Sequence, residues 1–285
     1  MKKLIEILKN NAMHWVGDGF PVRSLLNYNS DYQTISPFLL FDYAGPWNFK
    51  PNEGKPRGVG RHPHRGFETV TIVYDGEVSH RDSEGNAGTI GPGEIQWMTA
   101  ASGILHEEFH SQNYSKTGGP FRMVQLWVNL PAKDKNAQAK YQAITRDMVP
   151  EVELNGGRVR LIAGWLDDIK GPAKTFTPLN LWDVRLNSGS EISLPLPEGH
   201  NSMVAVISGN VTIRGKSIYE AEIARCSTYG KGVTVKADND SMLLVLTGEP
   251  IQEVVVGYGP FVMNSESEIV QATDDLKNGK FGMIK

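Results

Sequence analysis

Thr71-Ile-Val-Tyr-Asp-Gly-Glu-Val-Ser79 and Val204-Ala-Val-Ile-Ser-Gly-Asn-Val-Thr212 carry one pattern at a constant offset. Each is an apolar run, a turn centred on glycine and a returning strand. Asp-Gly and Ser-Gly pairs between apolar runs mark tight hairpins. A pattern that recurs at this distance predicts a duplicated β unit. Outward from these hairpins, 30 glycines and 16 prolines punctuate the chain. They leave short pieces rich in Val, Ile and Thr, the length and content of strands. Thr69–Tyr74, Gly88–Ile90, Glu94–Thr99, Arg122–Val128, Val159–Ala163, Met203–Ile207, Asn210–Ile213, Gly232–Lys236 and Met242–Thr247 are all predicted strands, and their spacing predicts a sandwich or barrel.

Two stretches read as helix. Pro131 followed by AKDKNAQAKYQA (132–143) is rich in Ala, Lys and Gln with Pro at an N-terminal position, which predicts a connector helix over 132–144. Glu266–Asn278 follows Ser265 as a cap, has Glu268 placed for a capping box, and meets Gly279 at its end.

The composition excludes several function classes. With 40% hydrophobic and 21% charged residues in 285, the chain can close a core and is not disordered. A net charge of -3 without a basic block gives no grip on nucleic acid. One cysteine, Cys226, allows neither an internal disulfide nor a cysteine-rich metal site, and fits a reducing compartment. No apolar run approaches the roughly 20 residues that span a bilayer. Glu6 and Lys9 break the apolar stretch after Lys2 and Lys3, so no signal peptide is read there and the expected location is cytoplasmic.

Chemistry concentrates in the first half, where five of the seven histidines (His14, His62, His64, His80, His106, His110 and His200) lie between 62 and 110. In Gly60-Arg-His-Pro-His64, His62 and His64 alternate and share one face of an extended chain. In Gly103-Ile-Leu-His-Glu-Glu108, His106 and Glu108 do the same. Two such strands side by side bring three imidazoles and a carboxylate to one point, a donor set for a borderline divalent ion. Glu107 points the other way. Parity leaves the carboxylate open, because Glu68 shares the face of His62 and His64, and His110 shares that of His106 and Glu108. His80 and Asp82 read as a polar turn, and Gln96, Met98, Met123, Gln125 and Trp127 as strand positions lining a core. Trp97, Trp165 and Trp182 read as packing.

His62-Pro-His-Arg-Gly-Phe-Glu-Thr-Val-Thr71, Pro92-Gly-Glu-Ile-Gln-Trp-Met-Thr-Ala100 and Gly103-Ile-Leu-His-Glu-Glu108 closely resemble the pirin family of the cupin superfamily. Ser36-Pro-Phe-Leu-Leu-Phe-Asp42 and Tyr258-Gly-Pro-Phe-Val-Met-Asn264 extend the resemblance over most of the chain. It implies an all-β bicupin: two antiparallel, jelly-roll-like β-barrels with short connector and C-terminal helices. The expected parts are a metal-binding barrel over 1–131, the connector helix over 132–144, a second barrel over 145–260 and a tail with a helix over 261–285. The family pattern places the metal ligands on His62, His64, His106 and Glu108, and leaves Glu68 as the general cupin glutamate that pirins do not use.

On the repeat offset, Pro195 and Pro197 stand where His62 and His64 stand, and Thr228–Lys236 contains no histidine. The second barrel is therefore expected to be metal-free, with His200 a loop residue. The resemblance implies one divalent ion, Fe(II) first and Mn, Co, Ni, Cu or Zn as alternatives. It further implies a quercetin 2,3-dioxygenase-like activity that opens a flavonol ring with oxygen, with Glu108 as the catalytic proton acceptor. The competing expectation is an iron-binding, redox-sensing regulator that acts through a protein partner, either a transcription factor or a metabolic enzyme complex. A zinc-dependent sugar isomerase is disfavoured, because only Arg61 and Arg65 flank the ligands, and these read as surface charges.

Overall fold

The computed structural model describes residues 1–29 and 31–284. Among them 53% lie in strands, and the two α-helices are Gln112–Thr117 and Glu266–Lys277. The chain divides into two compact units. One comprises Ala12–Ser24, Phe38–Arg146 and the segment from Ile251 onward, and the other Met1–Asn11, Leu25–Pro37 and Asp147–Pro250.

In the first unit a seven-stranded sheet runs in the order Lys140–Ile144, Ile95–Thr99, Phe67–Asp75, Gly119–Asn129, Phe38–Phe49, Phe20–Asn27 and His14–Val16. A four-stranded sheet runs Gly58–His64, Ile104–His110, Val78–Asp82 and Ala87–Ile90. Their apolar positions meet in one core, with Phe20, Val73, Phe121 and Met123 from the large sheet and Val78 and Ile90 from the small one. The second unit repeats the plan. Its large sheet is Leu4–Lys9, Glu222–Cys226, Asn201–Ser208, Ser241–Gly248, Leu179–Leu186, Gly157–Ala163 and Glu151–Leu154. Its small sheet is Glu191–Leu194, Val233–Ala237, Asn210–Ile213 and Lys216–Tyr219. Val184, Val204 and Leu243 pack there against Ile192, Val211 and Val235. The repeat seen in sequence is borne out as a pair of equivalent turns, but not as hairpins: at Gly76 (φ +86°) and Gly209 (φ +80°), a backbone region that glycine enters at no steric cost, the chain crosses from the large sheet to the small one and the flanking strands do not pair.

The expected all-β, jelly-roll-like bicupin is borne out, with each unit a sandwich of two separate open sheets in place of a closed barrel, while two other expectations are corrected. The chain passes between sheets at bends such as Arg65–Gly66, which separate the strand Gly58–His64 from Phe67–Asp75. A Cβ at Gly66 would lie 2.0 Å from the Val262 carbonyl oxygen, so this bend depends on glycine.

The connector helix over 132–144 does not form. A 3₁₀ turn at Ala132–Asp134 is followed by the strand Lys140–Ile144, which pairs with Ile95–Thr99. The segment has helix propensity but no apolar stripe at helical spacing, and tertiary pairing decides the outcome for so short a piece.

The boundaries drawn by chain continuity also shift. Leu4–Lys9 pairs with Glu222–Cys226 in the second unit, where Leu4 and Ile7 reach the core. The tail belongs to the first unit, with Ala272 and Phe281 packed on Phe261 and Leu105. Lys285 lies outside the described residues. The C-terminal helix forms as expected: Ser265 accepts from the Glu268 amide, and the Glu268 carboxylate accepts from the Asn264 amide. No helix among the described residues is long and apolar enough to cross a membrane.

Candidate metal centre

The small sheet of the first unit carries the site. Gly58–His64 and Ile104–His110 are antiparallel neighbours with His106 directly opposite His62, and a register shift after His106 sets Glu108 opposite Val59. His62, His64 and His106 converge, with ring centroids 4.2 to 4.9 Å apart and candidate ligand atoms within 4.8 Å of one another. His64 and His106 are buried, while His62 is partly exposed. Burial, reinforced by the neighbouring imidazoles, holds the pKa of both His64 and His106 well below the usual histidine value, so both rings are neutral, the form that binds a metal. His64 Nδ1 and His106 Nε2 are buried without a hydrogen-bond partner. Two orphaned imidazole nitrogens in one cluster fit an ion better than any protein group present. His62 Nδ1 lies 2.9 Å from the Gly60 carbonyl oxygen, which can only accept, so Nδ1 carries a proton and Nε2 is the nitrogen the neutral ring would offer to an ion.

Glu108 falls outside the three-histidine group. With His80 and His106 it forms a second group of ligand atoms within 4.8 Å, and the two groups share His106. Its carboxylate is held by side chains of the facing large sheet. Oε1 accepts from Gln96 Nε2 and lies 3.1 Å from Thr71 Oγ1, and Oε2 accepts from Gln125 Nε2 at 3.1 Å. Gln96 and Gln125, read in sequence as core lining, are therefore the groups that orient Glu108. Trp127 stacks on Phe67 at 4.3 Å and edges His64 at 5.3 Å, giving the cluster an aromatic wall.

The structure separates the rival residues. Glu68 pairs in register with Thr99 and Val128, whereas Thr69, Thr71, Gln96 and Gln125 alternate onto the opposite, site-facing side of the sheet. Burial raises Glu68 to about 7, partly offset by the bond that Thr99 Oγ1 donates at 2.7 Å. His110 lies outside both groups: Nε2 donates to the Gly19 carbonyl at 2.9 Å, and the ring sits among Phe20, Phe49, Tyr114 and Phe121. In the second unit, His200 stands apart with Nδ1 3.3 Å from Thr247 Oγ1. The equivalent ladder there pairs Leu194 with Val233 and Ser193 with Thr234. Arg65, expected on the surface, is buried and bonds Asp275 at 2.6 Å.

Sequence reasoning missed His80. It lies in a strand rather than a turn, opposite Glu108, with Asp82 opposite His106. The signal was available, because His80 and Asp82 alternate as His62 and His64 do. Its ring stacks on Tyr141 at 4.8 Å, a contact made by the strand that replaced the expected connector helix. Burial, together with the charges of Glu108 and Asp82, pushes the Tyr141 phenol up to about 12.

Known proteins match both halves of the chain. The family model described as Pirin matches residues 19–128, and that of the Pirin C-terminal cupin domain matches 181–282. A Pseudomonas aeruginosa protein named "Putative quercetin 2,3-dioxygenase" is 53% identical over 283 residues, covering 99% of both chains. Pirin of Homo sapiens is 37% identical over 258 residues, covering 88% of this chain and 85% of its own. A crystal structure of quercetin 2,3-dioxygenase from Acinetobacter baumannii superposes with a TM-score of 0.96 at 51% identity over the whole of both chains. With two cupin units, one of them carrying the histidine cluster, and these matches over both halves, the chain belongs to the pirin family.

Proposed function

We propose that the protein is a mononuclear metal-dependent dioxygenase of the quercetin 2,3-dioxygenase type, with His62, His64, His106 and Glu108 holding one divalent ion. The observation that carries this reading is the convergence of three imidazoles, two of them with orphaned buried nitrogens, beside an oriented carboxylate. Fe(II) is the first candidate, and Mn, Co, Ni, Cu and Zn suit the same donors. A bound ion would supply a Lewis acid and a meeting point for oxygen and an electron-rich ring.

The chain's own residues do the rest. Glu108 accepts the proton of the flavonol hydroxyl and leaves the ring electron-rich enough to react with oxygen. Gln96 and Gln125 fix the Glu108 oxygens from the facing sheet, so the base is aimed before the substrate arrives. Trp127, half-buried, backed by the buried Phe67 and edging His64, offers a flat apolar surface on which a planar aromatic substrate can lie.

The test is oxygen uptake by anaerobically Fe(II)-loaded protein given quercetin, with carbon monoxide followed and His62→Ala run alongside. Uptake with carbon monoxide release that His62→Ala loses is the expected result. Glu108→Gln should keep most of the metal and lose at least about a hundredfold in turnover, the scale of a positioned base. Silence from a fully loaded site with each of the candidate metals would refute the dioxygenase and favour the redox-sensing regulator with a protein partner.

A further inference from the structure

Asp82 and His80 have no part in the proposed ligand set, yet their hydrogen-bonded chain ends on one of its members, His106. Asp82 Oδ1 accepts from the amides of Glu84 and Asn86 at 3.0 and 2.9 Å, and Oδ2 accepts from Asn86 Nδ2 at 2.9 Å. A carboxylate so surrounded by donors can only accept, so its contact with His80 Nε2 at 3.1 Å places a proton on His80 Nε2. In the neutral ring the other nitrogen, Nδ1, is then an acceptor. It lies 3.4 Å from His106 Nδ1, and both side chains are buried. A pair of nitrogens at this distance needs one proton, and with His80 in the neutral Nε2–H form it comes from His106 Nδ1. That leaves His106 Nε2 bare, and His106 Nε2 is the buried nitrogen with no partner in the protein. Tyr141, stacked on His80 at an interplanar angle of 18°, holds the ring in the plane this chain requires.

We propose that His80 is a positioning residue: anchored by Asp82, it accepts the Nδ1 proton of His106 and so fixes the tautomer and ring orientation that present His106 Nε2 to the metal. The Gly60 carbonyl does the same for His62, so two of the three imidazoles are set by acceptors built into the sheet. Partners of this kind tune ligand basicity and are worth about ten- to a hundredfold in metal affinity. The proposal rests on His106 being a ligand, and it assigns the second cluster, His80 with His106 and Glu108, to orientation rather than to a second ion.

Two measurements test it. On metal-free wild-type protein, long-range ¹H–¹⁵N correlation of the histidine rings should show His106 protonated at Nδ1 and His80 at Nε2. His106 found protonated at Nε2 overturns the proposal, and this reading needs no variant to fold. Competition titration with Co(II) then compares His80→Leu, which removes the acceptor, with His80→Asn, whose amide oxygen can occupy the Nδ1 place. His80→Leu should bind Co(II) ten- to a hundredfold more weakly, and His80→Asn should recover to within about threefold of wild type. Equal affinity in His80→Leu, or no recovery in His80→Asn, overturns it. X-ray absorption at the cobalt edge should count the same number of imidazoles in wild type and His80→Leu, and the loss of one would make His80 a ligand and refute the positioning role. Wild type that binds no stoichiometric Co(II) would instead refute the ligand set, while the tautomer measurement still judges the Asp82–His80–His106 chain.

Discussion

Glu68 and Glu108 show what a single side chain's direction decides. Both are buried glutamates near the histidines in sequence, and alternation along the chain admits either as the carboxylate of the site. The ladder resolves them: Glu108 faces Gln96 and Gln125, and Glu68 faces the other way toward Thr99. Sequence could not tell them apart because parity counts from the start of a strand, and the bend at Arg65–Gly66 begins a new strand between His64 and Glu68. Glu68 also carries a cost that can be measured. Burial raises its pKa from 4.5 to about 7, so between those values the unfolded chain releases a proton that the folded chain keeps. Stability contributed at this position is therefore full at low pH and falls as pH rises through that window. Glu68→Gln removes the titration while keeping an oxygen for Thr99 to bond. The variant should gain on wild type by roughly 2–3 kcal/mol between pH 4.5 and 8, at about 1.4 kcal/mol per pKa unit. Urea denaturation across that range checks it, and a difference independent of pH would show that Glu68 is not buried as a protonated acid.

At the scale of elements, strands were legible and the connector was not. The β-branched runs bounded by glycine form strands because alternation and burial point the same way in each. The segment 132–144 offers only propensity, and the exposed edge of the strand Ile95–Thr99 outweighs it. The correction matters for the site, since a helix there would not have delivered Tyr141 to His80. Lys135, inside the same segment, shows how the connection is secured. Its buried ammonium donates to the Gly66 carbonyl at 2.7 Å, Asn129 Oδ1 at 2.6 Å and the Val262 carbonyl at 2.9 Å. One cation thus joins the bend before Phe67–Asp75, the end of Gly119–Asn129 and the C-terminal segment. Lys135→Met would keep the volume and strand three acceptors, at a cost of roughly 2–4 kcal/mol. Thermal or urea unfolding should show this loss, together with faster proteolysis of the C-terminal segment. A variant as stable as wild type would mean that the acceptors are readily rehydrated and the tie is dispensable.

At the scale of the whole molecule, duplication of a fold has not duplicated a site. The two units repeat the same seven- and four-stranded plan, but only the first unit's small sheet carries alternating histidines, and the second pairs leucine, valine, serine and threonine in the matching ladder. This asymmetry was readable from the sequence, since neither the positions at the repeat offset from His62 and His64 nor Thr228–Lys236 contain a histidine. The exchange of terminal segments was not, because the edge strand that Leu4–Lys9 joins and the surface that Phe281 covers exist only once the sheets have formed. A metal that binds one folded unit stabilises that unit by mass action, by about 2.7 kcal/mol at a hundredfold excess over its dissociation constant. Hydrogen exchange with saturating Co(II) should therefore slow in Gly58–His64, Val78–Asp82 and Ile104–His110 and stay unchanged in Asn201–Ser208 and Ser241–Gly248. His106→Ala should abolish both the slowing and stoichiometric metal, and His200→Ala should leave both intact. Protection that appears in Asn201–Ser208 and disappears with His200→Ala would place an ion in the second unit and reverse the assignment of the two halves.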